Sequence, residues 1–401
     1  MATNKIRTTH VGSLPRTKAL LEANQRRTEG TIEDSEFFEI LQTSIDEVVQ
    51  KQVDLGIDII NEGEYGHITS GAVDYGAWWN YSFTRLGGLT MTDEDRWANQ
   101  AIKRSTPGNI QLTSFPDRRD RAMFSEAYED PTSGIFTGRA KVGNPKFTGP
   151  VTYIGQDQVE TDVKLMRAAM DKAGATEGFV AALSPGSAAR LTDEYYGNDA
   201  ELVQACADAM HHEYKAITDA GFTVQLDAPD LAESWDQIKP EPSLEDYLAW
   251  LRIRVDAINA ALKGLPKEQT RLHICWGSWH GPHVTDIPFE DIVDEILRVE
   301  VGGYSFEGAS PRHAHEWRVW QNRELPENTL IYPGVISHST NAVEHPRLVA
   351  DRIIQFAEVV GPERVVASSD CGLGGRLHHQ IAWAKLESLV EGAAIASKEL
   401  F

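Results

Sequence analysis

Two residues apart in the run "RLHICWG", His273 and Cys275 are a pair whose side-chain types can act together. On a β-strand, residues i and i+2 leave the same face, so both groups can reach one ion. Two further candidates close later strand-like runs: Glu307 in "GGYSFEGASPRH" and Cys371 in "VVASSDCGLGGR". An imidazole, two thiolates and a carboxylate suit zinc in softness and in tetrahedral number. Structural zinc sites favour paired C-x-x-C knuckles, which this sequence lacks, so an accessible, catalytic ion is expected. Only three cysteines are present. The third, Cys206, lies at helical spacing among small apolar residues in "ELVQACADAMHHEYKAI" and reads as core.

A second polar set also falls at strand ends: Ser13 in "TTHVGSLPR", Glu64 in "IDIINEGE" and Asp227 in "TVQLDAPD". Either carboxylate can take a substrate ammonium group, and the Gly12–Ser13 turn offers backbone N–H donors to an anion. The structural alternatives are that Asp227 caps the following turn and that Glu64 pairs with an arginine. His338, in "YPGVISHSTN", is placed either to move a proton near the metal or to serve as a hydrogen-bonding group. His67, His280, His283, His313, His315, His378 and His379 are too loosely placed to carry a role.

The elements that must position these residues alternate between short apolar runs and amphipathic stretches. The expected strands are 8–13, 57–64, 149–154, 180–183, 223–227, 272–277, 303–307, 330–336 and 365–369; the expected helices include 32–55, 244–262, 289–298, 346–360 and 380–398. Repeated β-α units of this kind predict a (β/α)8 TIM-type barrel, a single α/β domain over 1–401 whose strand C-terminal ends share one mouth. Nine runs exceed the eight such a barrel needs, so 180–183 or the first run is expected outside the wall. No Gly-x-Gly-x-x-Gly turn follows an early strand, which disfavours a doubly wound sheet. Residues 66–148 break the rhythm, as in "AVDYGAWWNYSF" and "FPDRRDRAMF", and read as an inserted lid or a subunit contact, the latter giving a homo-oligomer.

Thirty-eight Lys and Arg against sixty Asp and Glu give a net charge of -22, which repels phosphate backbones and anionic lipids, so neither nucleic acid nor membrane is expected as a partner. The polar start of the chain, the lack of long apolar stretches and the few cysteines predict a cytoplasmic protein.

At "HICWGSWHGPH", "YSFEGASPRHAHEW", "YPGVISHSTN" and "SSDCGLGGR" the chain resembles the cobalamin-independent methionine synthase family, in its C-terminal catalytic barrel, and the related epoxyalkane:coenzyme M transferases. The resemblance implies an eight-stranded barrel with a catalytic zinc on His273, Cys275, Glu307 and Cys371. It further implies that Ser13, Glu64 and Asp227 hold the amino-acid portion of homocysteine, with His338 as a proton relay. Two departures concern the methyl donor. Where the methyltransferases follow "GPVT" with a tryptophan, "GPVTYIGQ" places Gln156, and the acidic residue of "DEPA" is here Ala228.

A free alkyl thiol with a pKa near about 8.5 is only a few per cent thiolate at neutral pH, and coordination to zinc moves that balance to the anion. The expected partners are therefore a small thiol and a methyl or alkyl donor. Three activities stay open: thiol methyl transfer, thiol addition to an epoxide, and a zinc-free uroporphyrinogen decarboxylase-like barrel.

Overall fold

Along the strand Thr270–Ile274, Arg271 and His273 point one way and Leu272 and Ile274 the other, the period of two that a pleated strand imposes. Leu272 and Ile274 join the main apolar core, while the opposite face is polar although fully buried. The same alternation recurs at Thr223–Asp227, where Val224 and Leu226 enter that core and Gln225 and Asp227 do not. Sequence thus decides that the sheet is wrapped by helices on one side and lined by polar groups on the other.

The computed structural model describes residues 4–67, 81, 84–95, 103–135 and 143–401. Its strands are β1 (Arg7–Thr8), β2 (Leu86–Asp95), β3 (Gly143–Tyr153), β4 (Phe179–Leu183), β5 (Thr192–Asp193), β6 (Thr223–Asp227), β7 (Thr270–Ile274), β8 (Gly303–Phe306), β9 (Leu330–Ile336) and β10 (Val366–Ser369). Seven of them form one parallel α/β sheet in the order β1-β10-β9-β8-β7-β6-β4.

The run expected as a strand at 57–64 makes one isolated parallel bridge, Ile60 with Gly178. Its backbone nonetheless bonds to both edges of the sheet. Asp58 N and Ile59 N donate to Thr8 O at 3.2 and 3.1 Å, and Phe179 N donates to Ile60 O at 3.0 Å. Ile59, Phe179, Tyr332 and Val366 pack together as a small second apolar cluster. Next to it, the buried Arg271 guanidinium stacks 3.7 Å over Phe179 and donates to Gln225 Oε1 at 2.7 Å and His10 O at 2.9 Å.

The sequence reading placed the wrong run outside this sheet. The run 180–183 belongs to it as β4 and the first run enters it at Thr8, the end of β1, whereas 149–153 is the end of β3. β3 pairs antiparallel with β2 and parallel with β5 in a separate three-stranded sheet. The reason is the partner: residues 86–95 supply an antiparallel mate, so the run pairs there, in register from Leu86 with Tyr153 to Asp95 with Gly143, rather than with the parallel strands.

The helices follow their expected spans closely: Asp34–Leu55, Leu244–Leu262, Phe289–Ile296, Pro346–Val360 and His379–Leu400. Ser243 caps the second of these by accepting from Asp246 N, and Gly56, at φ 87°, ends the first in the left-handed conformation that glycine adopts freely.

Of the 66–148 insertion, the "AVDYGAWWNYSF" segment lies, apart from Tyr81, outside the described residues. The "FPDRRDRAMF" segment is anchored beside β6: Arg118 pairs with Glu233, Asp120 N donates to Asp236 Oδ1 at 3.0 Å, and Thr113 N to Gln237 O at 2.8 Å.

Candidate metal centre

β7 carries His273 on its sheet-lining face, and Cys275 follows two residues on. The structure brings His273 and Cys275 together with Cys371, which follows β10: one ligand atom from each lies within 4.8 Å of the others. His273 Nδ1 meets Ser305 Oγ at 3.0 Å, while its Nε2 is buried with no hydrogen-bond partner. An imidazole oriented through one nitrogen with the other left bare is the arrangement of a metal-binding histidine. The hydrogen bond from Cys275 holds the Cys371 thiol well below its usual range, and the same contact, with burial, raises that of Cys275. These groups fit a soft divalent cation.

Glu307 falls into a neighbouring group rather than that triple, within 4.8 Å of His338 and Asp370 by ligand atoms. Its Oε1 accepts from Trp276 N at 3.1 Å. Burial, with repulsion from Asp370 and Cys371, pushes its carboxyl up to about 8. That Cys371 and Glu307 feel each other's charge puts the two groups in one electrostatic neighbourhood.

His338 is fully buried after β9, with neither ring nitrogen hydrogen-bonded, and burial lowers its pKa to about 3. It is therefore a neutral imidazole and a weak base, whose protonated form would give its proton up readily.

The second polar set lies against this centre. Asp227 ends β6, and Gln225 Nε2 donates to its Oδ1 at 2.7 Å, so the carboxylate is held by its own strand. Glu64 adopts φ 57°, a left-handed conformation that costs a non-glycine residue energy and is retained where position matters. Arg16 fixes the loop by donating to Glu64 O at 2.7 Å and His67 O at 3.1 Å. Burial and then the charge of Asp227 raise the Glu64 carboxyl well above its usual range, and Asp227 is raised by burial and by Cys371. Two buried acids within reach of each other's charge want a cationic partner. Ser13 O accepts from Leu373 N and Gly374 N, both at 2.8 Å, which staples the loop after Cys371 onto the β1 turn.

Three contributors escaped the sequence reading. Ser305 lies on β8 two residues before Glu307, which follows the strand directly, a spacing that was available. Asp370 precedes Cys371 directly, and its Oδ1 takes Gly308 N and Ala309 N at 2.7 and 2.8 Å, fixing the backbone beyond Glu307. His313 was passed over. Against the cost of burial, hydrogen bonds to Asp286 and Glu316 hold it as an imidazolium up to about 10, stacked 3.9 Å from Trp276. Cys206 is buried core in the helix Asp199–Asp219, as expected.

Among the described residues, no helix is long and apolar enough to cross a membrane. The family described as "Cobalamin-independent synthase, Catalytic domain" matches residues 6–194 and 185–395. The chain is 26% identical over 237 residues to 2-hydroxypropyl-CoM lyase of Xanthobacter autotrophicus, covering 52% of this chain and 58% of that one. To methionine synthase of Saccharolobus solfataricus it is 29% identical over 211 residues, 52% and 54% of the two chains, so these matches span little more than half of each relative. A Saccharolobus islandicus methionine synthase aligns over 397 residues at 24% identity, 98% of this chain and 95% of that one. A B12-independent methionine synthase from Shewanella sp. W3-18-1, in complex with selenomethionine, superposes with a TM-score of 0.70 at 19% identity over 99% of both chains, a likeness of fold. With the family matched over nearly the whole length, the chain belongs to the cobalamin-independent synthase catalytic-domain family.

Proposed function

We propose that this protein is a zinc-dependent transferase that binds a small, homocysteine-like thiol and methylates its sulfur. The observation that carries the reading is the cluster of His273, Cys275 and Cys371 at ligand distances, with a bare, buried His273 Nε2. Glu307 completes the proposed ligand set. Zinc held there would keep the substrate thiol deprotonated at neutral pH, and a ligand set with three negative charges leaves that sulfur nucleophilic.

The chain's own residues do the rest. Glu64 and Asp227 take the substrate ammonium group, whose charge offsets the burial that raises both carboxyls. Ser13 orients the same end of the molecule. His338, a weak base in its buried setting, carries the proton that the thiol gives up only in passing, as a relay. As the sulfur forms its bond to the methyl carbon and the carbon–nitrogen bond of the donor breaks, His338 returns the proton to the leaving nitrogen.

For the fold, the bonds of residues 57–61 to both β1 and β4 support closure of the seven-stranded sheet into an eight-membered (β/α)8 barrel. Residues 66–148 then serve as an insertion beside the mouth, a lid or a subunit contact. The three free cysteines support a reducing, cytoplasmic setting.

The similarity to a 2-hydroxypropyl-CoM lyase, with Gln156 and Ala228 at the two departures, favours one second reading, in which the sulfur opens an epoxide. The same zinc-loaded protein decides between them when given homocysteine or coenzyme M with methyl donors or epoxides. S-methylation of homocysteine, lost in Asp227→Asn, supports the first reading, and a thioether formed from an epoxide supports the second. A zinc-loaded protein that alkylates no thiol contradicts both.

A further inference from the structure

We propose that Arg376 receives the acidic group of the thiol substrate, opposite the Glu64 and Asp227 carboxylates that receive its ammonium group. This deepens the thiol-transferase reading and rests on it.

Arg376 closes the "SSDCGLGGR" run, five residues beyond Cys371. The intervening loop is held against the β1 turn by the bonds of Leu373 N and Gly374 N to Ser13 O. The approach is close enough that a Cβ on Gly374 would lie 2.7 Å from Ser13 Oγ, and one on Gly372 would lie 2.8 Å from Ser13 Cβ. On the other side of Ser13, a Cβ on Gly12 would come within 3.2 Å of Glu64 Cδ. Ser13, Glu64 and the loop carrying Arg376 are therefore one contiguous surface.

The guanidinium is half-buried on that surface. Its Nε and Nη2 both donate to a single oxygen, Ser278 Oγ, at 2.9 and 2.6 Å. A two-donor edge matches the two oxygens of a carboxylate or sulfonate, so an incoming acid can take the place of the neutral Ser278 hydroxyl with two charge-assisted bonds. The positive charge also reaches into the site, where it holds Glu64 down somewhat against burial and adds to the lowering of His338. An α-amino acid bearing a thiol side chain presents one ammonium and one carboxylate on the same carbon. Two buried acids on one side and a guanidinium carried by the loop packed on Ser13 form the complementary pattern.

The test titrates the zinc-loaded protein calorimetrically with homocysteine, with 3-aminopropane-1-thiol, which lacks the carboxylate, and with 4-mercaptobutanoate, which lacks the ammonium group. Arg376→Gln is expected to weaken the two acidic thiols by about 10- to 100-fold and to leave 3-aminopropane-1-thiol almost unchanged. Arg376→Lys, which keeps the charge and loses the fork, should fall between. Ser278→Ala should preserve the wild-type order of affinities.

Equal losses for all three thiols, or a Ser278→Ala protein that behaves like Arg376→Gln, would mean that Arg376 merely ties two loops together, and the proposal falls. An unchanged homocysteine affinity in Arg376→Gln overturns it while the thiol reading stands. A zinc-loaded wild-type protein that binds none of the three thiols removes the functional reading itself, and this inference with it.

Discussion

Replacing Gly12 by alanine should cost activity far more than stability, and the structure says by how much. Gly12 has φ 134°, which an alanine adopts with strain, and its added Cβ would lie 3.2 Å from Glu64 Cδ and overlap Oε1. The carboxylate must retreat by about 1 Å to restore van der Waals contact. Gly56→Ala is the matched control: φ is 87°, yet the nearest atom to the new Cβ is Val390 Cγ1 at 3.7 Å, an ordinary contact. Both variants should lose about 1 kcal/mol of stability through backbone strain, read by denaturant unfolding. Only Gly12→Ala displaces a group proposed to hold the substrate, and a misplacement of that size lowers kcat/KM by up to about 100-fold. Steady-state assays on thiol and donor give the comparison. Should Gly12→Ala and Gly56→Ala lose activity equally, or neither lose any, Glu64 is not positioning the substrate.

Two other outcomes follow from groups around the centre. Ser305→Ala frees His273 Nδ1 from its 3.0 Å partner and should weaken metal binding by about 10- to 100-fold; competition with a chelator reads this, and an unchanged affinity would dismiss Ser305 as an orienting group. Glu62 is buried, and burial lifts its carboxyl from 4.5 to about 8, so its contribution to stability is complete below about 4.5 and is lost as the pH rises towards 8. Glu62→Gln removes that loss. Its melting temperature relative to wild type should therefore climb between pH 5 and 8, whereas a constant offset would show that Glu62 does not titrate in the fold.

How much of this was legible beforehand depended on whether the signal was local. The spacing of His273 and Cys275 is a property of one strand, so their shared face could be read directly, and strand-end placement extended the reading to Cys371. Helices such as 244–262 and 346–360 carried their own caps and periodicity and emerged with the expected bounds. The run at 149–154 failed because strand partners are not encoded in the strand: its apolar alternation suits either sheet, and the mate, β2, lies in a stretch without clean periodicity. Ser305 could have been found by counting back two from Glu307. Asp370 and His313 could not, because their roles arise from backbone donors and acids brought together by folding.

The central claim is that His273, Cys275 and Cys371, with Glu307, share one zinc ion. Metal analysis joined to X-ray absorption on the purified protein addresses it most directly. The account predicts one zinc per chain with two sulfur ligands at about 2.3 Å, and loss of a sulfur from that shell in Cys371→Ser. Well under one zinc per chain, or a metal whose surroundings are the same in wild type and Cys371→Ser, would contradict it.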